Sequence, residues 1–358
     1  MLKRLWLFVF VALLATPCYP ADVVFGRRVY AAAGRSYEQL WTLDTASRQV
    51  VPLSRTPRRH AAPACSPDGR RIWFLSGAFG DETNTELWWF DPRTHGEALA
   101  VRFGVSIFGI DSLLGGDEGR AFFTGYEGHA LGLYRWDGHL TKLASADRAA
   151  LAPDARSLAV EMQTGSVTMM EPGGARGRTL EKCSGPLWSP DGRRLACVAG
   201  QTVRVLNLTT GVETAHAEFA QRPTAPFVAD FAPDGAHLMV GTLGANHTST
   251  FPQLDFWVLE IATGKWTFVG PGQSAIFAPC GSVLLVPPRE LQPKGKVHEW
   301  MSQLLLVDPA THAQAPVAAG MASDVEPCRC VVAAPASGVP QRSASRRPDG
   351  GPKPAPAR

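Results

Sequence analysis

The residues with the chemistry to act as nucleophiles, acids or metal ligands are scattered along this chain rather than grouped. Ser274 in "GPGQSAIF" lacks the spacing of a GxSxG nucleophile elbow. His298 opens "HEW", which is not the HExxH of a zinc hydrolase. His129 and His247, in "EGHA" and "GANHTST", stand alone and read as solvated loop residues. Four aspartates, Asp68, Asp154, Asp191 and Asp234, recur at similar spacing and suggest a ring of carboxylates. Each, however, follows a proline just before a turn position, where an Asp side chain bonds its own backbone. Turn chemistry therefore accounts for all four. Neither a catalytic residue nor a metal or cofactor site is expected.

The cysteines are equally dispersed. Beyond Cys18 there are Cys65, Cys183, Cys197, Cys280, Cys328 and Cys330, with no CxxC pair and no zinc-like cluster. Cys183 and Cys197 fall nearly opposite one another when the chain folds about the "SPDG" turn between them. They fit either a disulfide or two buried thiols.

The elements that must position these residues come from repetition. "CSPDGRRIWFLSG" at 65–77 and "WSPDGRRLACVAG" at 188–200 are nearly the same hairpin. Aligned on the turn glycine, copies stand at Gly26, Gly69, Gly119, Ala155, Gly192, Gly235 and Gly281. A second element, an apolar strand ending in an acid or Asn, stands at Asp44, Asp91, Asp137, Glu171, Asn207, Glu260 and Asp308. Both series have seven members and alternate in phase. Each unit reads as four short antiparallel strands, A to D, over roughly 35–50 residues, the period of propeller blades. The fold class is all-β, a β-propeller of four-stranded antiparallel blades, with seven blades favoured over six. The first unit opens at strand B, so "SDVEPCRCVVAAP" near the end of the propeller is expected to supply its strand A. The tryptophans of the C strands (Trp41, Trp88, Trp89, Trp136, Trp257) fit cores between blades better than a sugar-stacking platform.

The "SPDG" core resembles the TolB-like, PD40 type of propeller repeat, over about residues 22 to 334. That resemblance implies the fold and an envelope setting more than an activity. There is no room for the amino-terminal α/β domain of TolB, no fused hydrolase domain, and seven units stand where TolB has six.

Residues 1–21 combine Lys3 and Arg4 with an apolar run from Leu5 to Ala15, the pattern of a secretory signal. A periplasmic or secreted location follows, with no transmembrane segment after cleavage. Residues 335–358 form a Pro/Arg-rich tail, expected to be disordered. The chain carries +3 overall; Lys3 and Arg4 sit in the signal and four net positive charges in the tail, which leaves the body near −3. A mildly acidic body without a basic stripe argues against nucleic-acid binding.

The loops between strands B and C differ most in length. Those of units six, seven, one and two are consecutive around a closed ring. They carry Tyr37, Phe79, Asp81, Glu82, His247, Phe251, Arg289, Glu290, His298 and Trp300, a mixture of aromatic and charged side chains. Such a mixture suits a protein or peptide partner in the cell envelope. The expected function is a binding scaffold. The alternative is a lactonase- or lyase-like propeller enzyme with a metal or polar site at the channel mouth.

Overall fold

The computed structural model describes residues 22–329 apart from 31–35, 57, 78–84, 104–108, 221–223, 245–252, 280, 289, 295–296, 302–303 and 318–326. The expected signal (1–21) and tail (335–358) lie outside them. Seven four-stranded antiparallel sheets, with no helix among the described residues, form a seven-bladed β-propeller. The innermost strands, A, are Pro327–Arg329, Ala61–Cys65, Gly109–Gly116, Arg148–Leu151, Ser184–Trp188, Phe227–Phe231 and Ser274–Phe277, in blades one to seven.

The turns explain why the sequence folds this way. Gly69, Gly192, Gly235 and Gly281 have φ of 66°, 68°, 66° and 82°, a region that costs other residues a Cβ clash. Ala155 takes the same conformation, φ 56°, in blade four. Asp191 Oδ1 accepts from the Ser189 hydroxyl (2.5 Å) and the Arg193 N–H (3.0 Å). Asp68 repeats this with Ser66 (2.6 Å) and Arg70 N–H (3.1 Å), while Asp154 and Asp234 accept from Arg156 and Ala236. These four carboxylates are spent on their own turns. The C–D turns work alike: Asp44, Asp91, Asn207 and Asp308 each accept two backbone N–H groups just downstream. Gly26 is different. It lies inside strand B of blade one (Asp22–Tyr30), opposite Leu40, and not in a turn. Blade one has no A–B turn because its strand A comes from the far end of the propeller. Pro327–Arg329 pairs antiparallel with Asp22–Tyr30, with Val23 opposite Arg329 and Val24 opposite Cys328.

The core is divided as the ring is. Seven buried apolar clusters sit one at each boundary between adjacent blades. Trp73 and Trp136 meet edge-on in the cluster between blades two and three; Trp257 packs on Phe219 and Phe268. The faces of Trp41, Trp88 and Trp89 are covered by Arg27, Arg58 and Arg71, at 4.5, 3.6 and 4.3 Å. None of these rings is a free stacking platform. Cys183 and Cys197 are joined by a disulfide, Cα atoms 5.4 Å apart, within the cluster between blades four and five. Blade seven departs from the expected loop between its B and C strands. "PPRELQPKGKVHEWMSQ" contains a hairpin of its own, Glu290–Lys294 against Val297–Met301.

Candidate functional site

Strands A all start on the face where B–C loops and D–A connections emerge. At the channel mouth on that face lies a cavity of about 280 Å³. Its walls come from the opening halves of strands A in four consecutive blades: Asp111 and Ser112, Arg148 and Ala149, Gly185 and Pro186, then Val228, with Thr124 from strand B of blade three.

Local irregularity sets this lining. In blade three, Ile110 pairs with Gly125 and Ser112 with Thr124, so Asp111 is an unpaired, bulged residue. Blade five shifts register across Gly185 and Pro186, and blade six across Ala229. Blade two does so at Ala62 and Pro63, with Ala62 at φ 47°. A bulge turns a side chain out of strict alternation and bends its strand. Repeated round the axis, it re-aims the inner strands at the channel mouth. Asp111 Oδ2 accepts from the Thr124 hydroxyl at 3.1 Å. Glu161, directly across the A–B ladder from Arg148, accepts the Gly185 N–H at 2.8 Å. Among the described residues, no carboxylate lies within ion-pair distance of Arg148.

A second polar group occupies the seam between blades one and two. Arg59 pairs with Glu38 (3.0 Å), and Glu86 holds both Arg102 (2.7 Å) and Arg58 (3.4 Å). Trp88 Nε1 donates to Glu86 at 2.8 Å while Arg58 lies over the same ring. Burial raises the Glu86 carboxyl, but the bonds from Trp88 and Arg102 and the two arginine charges outweigh it and hold it below the usual range. Beneath, the fully buried His60 faces Glu97 through Nε2 (3.1 Å) and the carbonyls of Glu38 and Arg58 through Nδ1 (2.9 and 2.8 Å). Thr56 donates to Glu97 at 2.7 Å. Burial pushes Glu97 up; the bonds from His60 and Thr56 more than reverse it. Every charge in this seam is answered, so it reads as a brace for the blade boundary.

Of the ten loop residues expected at a binding face, only Tyr37 has a described side chain, half-buried at the start of strand C of blade one. Glu290, His298 and Trp300 belong by their backbone to the blade-seven hairpin, opposite Met301, Pro293 and Leu291. Phe79, Asp81, Glu82, His247, Phe251 and Arg289 lie outside the described residues. Sequence reasoning missed Asp111, Thr124 and Arg148. The available signal was the broken apolar alternation at "GIDSLL" and "SGPLW". Among the described residues, no three His, Cys, Asp or Glu side chains converge as metal ligands, and no helix is long and apolar enough to cross a membrane.

No family model and no curated protein matches the sequence. Solved structures do match in shape. A provisionally named 6-phosphogluconolactonase from Bacteroides fragilis aligns with TM-score 0.54 and 14% identity, over 86% of this chain and 97% of the other. An oligogalacturonate lyase from Vibrio parahaemolyticus aligns with TM-score 0.52 and 12% identity, over 75% of this chain and 89% of the lyase. A dihydro-heme d1 dehydrogenase in complex with DHE aligns at 0.51 and 14%, over 87% of this chain and 75% of that one. The likeness is one of fold. At such identities it carries no activity across.

Proposed function

We infer that the protein is an exported, TolB-like propeller that binds a protein or peptide partner in the cell envelope. The binding face is the one on which strands A begin, and the long connections of blades six, seven, one and two form its rim. The observation that carries this reading is the contrast between the two faces. On one, the turn carboxylates are consumed by their own backbones. On the other, the bulged inner strands of blades three, five and six open a polar cavity. Binding residues concentrate where loops are held by a rigid scaffold. A double variant, Phe251→Ala with Trp300→Ala, tests the rim. It is expected to lose partner capture from envelope extract while its melting point stays near that of the parent. Undiminished capture of the same proteins removes the rim from the reading.

A propeller enzyme acting at the channel mouth is the second reading, and the polar cavity itself is what favours it. One equivalent of calcium or zinc in the purified protein supports that alternative. A protein without bound metal that still captures its partner supports the scaffold.

A further inference from the structure

Arg148 is the anomaly of the channel mouth. It is exposed into a concave site, and the carboxylate best placed to neutralise it is engaged elsewhere. Register puts Glu161 directly opposite Arg148, where neighbouring strands bring Cβ atoms within about 5.5 Å. Yet Glu161 caps the N–H of Gly185, whose φ of 58° belongs to the bulged start of strand A in blade five. A Cβ on Gly185 would come to 3.5 Å of an Arg148 terminal nitrogen, so the guanidinium lies along this bare stretch of backbone. The bulge thus frees Arg148 twice, by drawing off its carboxylate and by clearing room beside it.

We propose that this cavity receives the carboxy-terminal carboxylate of a peptide, with Arg148 as its counter-ion. A guanidinium forks two parallel N–H donors onto a carboxylate, which suits a planar monoanion. Asp111, on the bulge of blade three, faces the same space and keeps acceptor capacity beyond its bond from Thr124. It is placed to accept the backbone N–H of the terminal residue. Its charge also disfavours a second negative charge in the site, which selects a carboxylate over a phosphate. At about 280 Å³ the cavity is at the small end of ligand pockets, room for the end of a chain and not its length. This inference rests on the peptide-binding reading and refines it: the rim holds the body of the partner and the channel mouth holds its end.

The probes are N-acetyl-Ala-Ala, its carboxamide and inorganic phosphate, titrated calorimetrically into the full-length protein. The free acid is expected to bind, the amide at least about tenfold more weakly, and phosphate not to displace the acid. Arg148→Ala is expected to lose about tenfold or more in affinity for the acid, with Arg148→Lys keeping part of it. Asp111→Asn is expected to weaken the acid and to improve phosphate. Equal binding of acid and amide overturns the proposal, as does better binding of phosphate or indifference to Arg148→Ala in a variant with unchanged melting. If the acid does not bind while partner capture still depends on Phe251 and Trp300, the cavity assignment falls and the rim reading stands. If the acid binds through Arg148 but capture ignores the rim, the cavity assignment stands and the rim falls.

Discussion

Ending the chain after residue 326 removes Pro327–Arg329 and leaves blade one with three strands. Its partners, Val23, Val24 and Phe25, are all fully buried. Val23 and Phe25 point into the cluster shared with blade seven, and Val24 into the cluster shared with blade two. Full burial of such side chains is worth about 1.5–3 kcal/mol each. Losing roughly half of that for three residues costs about 2–5 kcal/mol, before the lost ladder hydrogen bonds. Against a typical margin of about 5–15 kcal/mol this is a large fraction. For a domain of this size it corresponds to a fall in melting temperature of about 3–8 °C. Ending the chain after residue 339 is the matched control, because it keeps the closing strand. Thermal melts followed by far-ultraviolet circular dichroism, with and without reductant, compare the two. Reductant matters because Cys65, at the end of strand A in blade two, is itself disulfide-bonded. If both truncations melt together with the full chain, the closing strand does not hold the ring and the reasoning fails.

Three further outcomes are expected. Replacing Cys183 and Cys197 by serine opens a loop with a separation of 14 residues and is expected to cost about 3 kcal/mol in urea unfolding; peptide mapping without reductant should recover the two cysteines linked, and two free thiols would end this expectation. Gly192→Ala is expected to cost about 1–2 kcal/mol, because a Cβ there meets nothing closer than 3.8 Å and the penalty is purely conformational, whereas Ala155→Gly should gain up to about 1 kcal/mol. The bond from Ser189 holds the Asp191 carboxyl below its ordinary value, with burial opposing; its stabilisation is therefore complete above the unfolded value of about 3.9 and is lost as pH falls through the lower folded one, so Asp191→Asn should be less stable than the parent at pH 7, with the gap closing as pH falls below the ordinary carboxylate range.

The parts of the fold legible in the sequence are those decided within a few residues. An Asp two positions before a backbone N–H fixes the turns at Gly69, Gly192 and Gly235, and a Gly where φ must be positive fixes these and the turn at Gly281, wherever they fall in the ring. These four, the weaker copies at Gly119 and Ala155, and the turnless blade one together count seven blades. Ring closure was legible for a different reason: a unit that starts at strand B has an unpaired edge, and edges must be covered. The bulges at Asp111 and Gly185 left only a broken apolar alternation in the sequence, which does not by itself separate a bulge, set by packing around the axis, from a poor strand. For the same reason the cavity residues escaped notice while the longer loops attracted it. The hairpin in blade seven was hidden inside a stretch counted only by its length. Gly26 was misplaced because it matches the turn glycine in its flanking apolar residues but has no Pro-Asp before it.

Val23 and Arg329 meet across about 300 residues of intervening chain, as their numbers show. A ribosome delivers the first of these partners long before the second. Blades two to six can form as they appear, each from contiguous strands, but blade one must wait for the end of the propeller. Through that interval strand Asp22–Tyr30 has no inner neighbour, and its apolar side chains wait for clusters still incomplete. Contacts this distant slow folding and lengthen exposure to aggregation. Blade one can therefore close only when the last strand arrives, and its closing completes the ring.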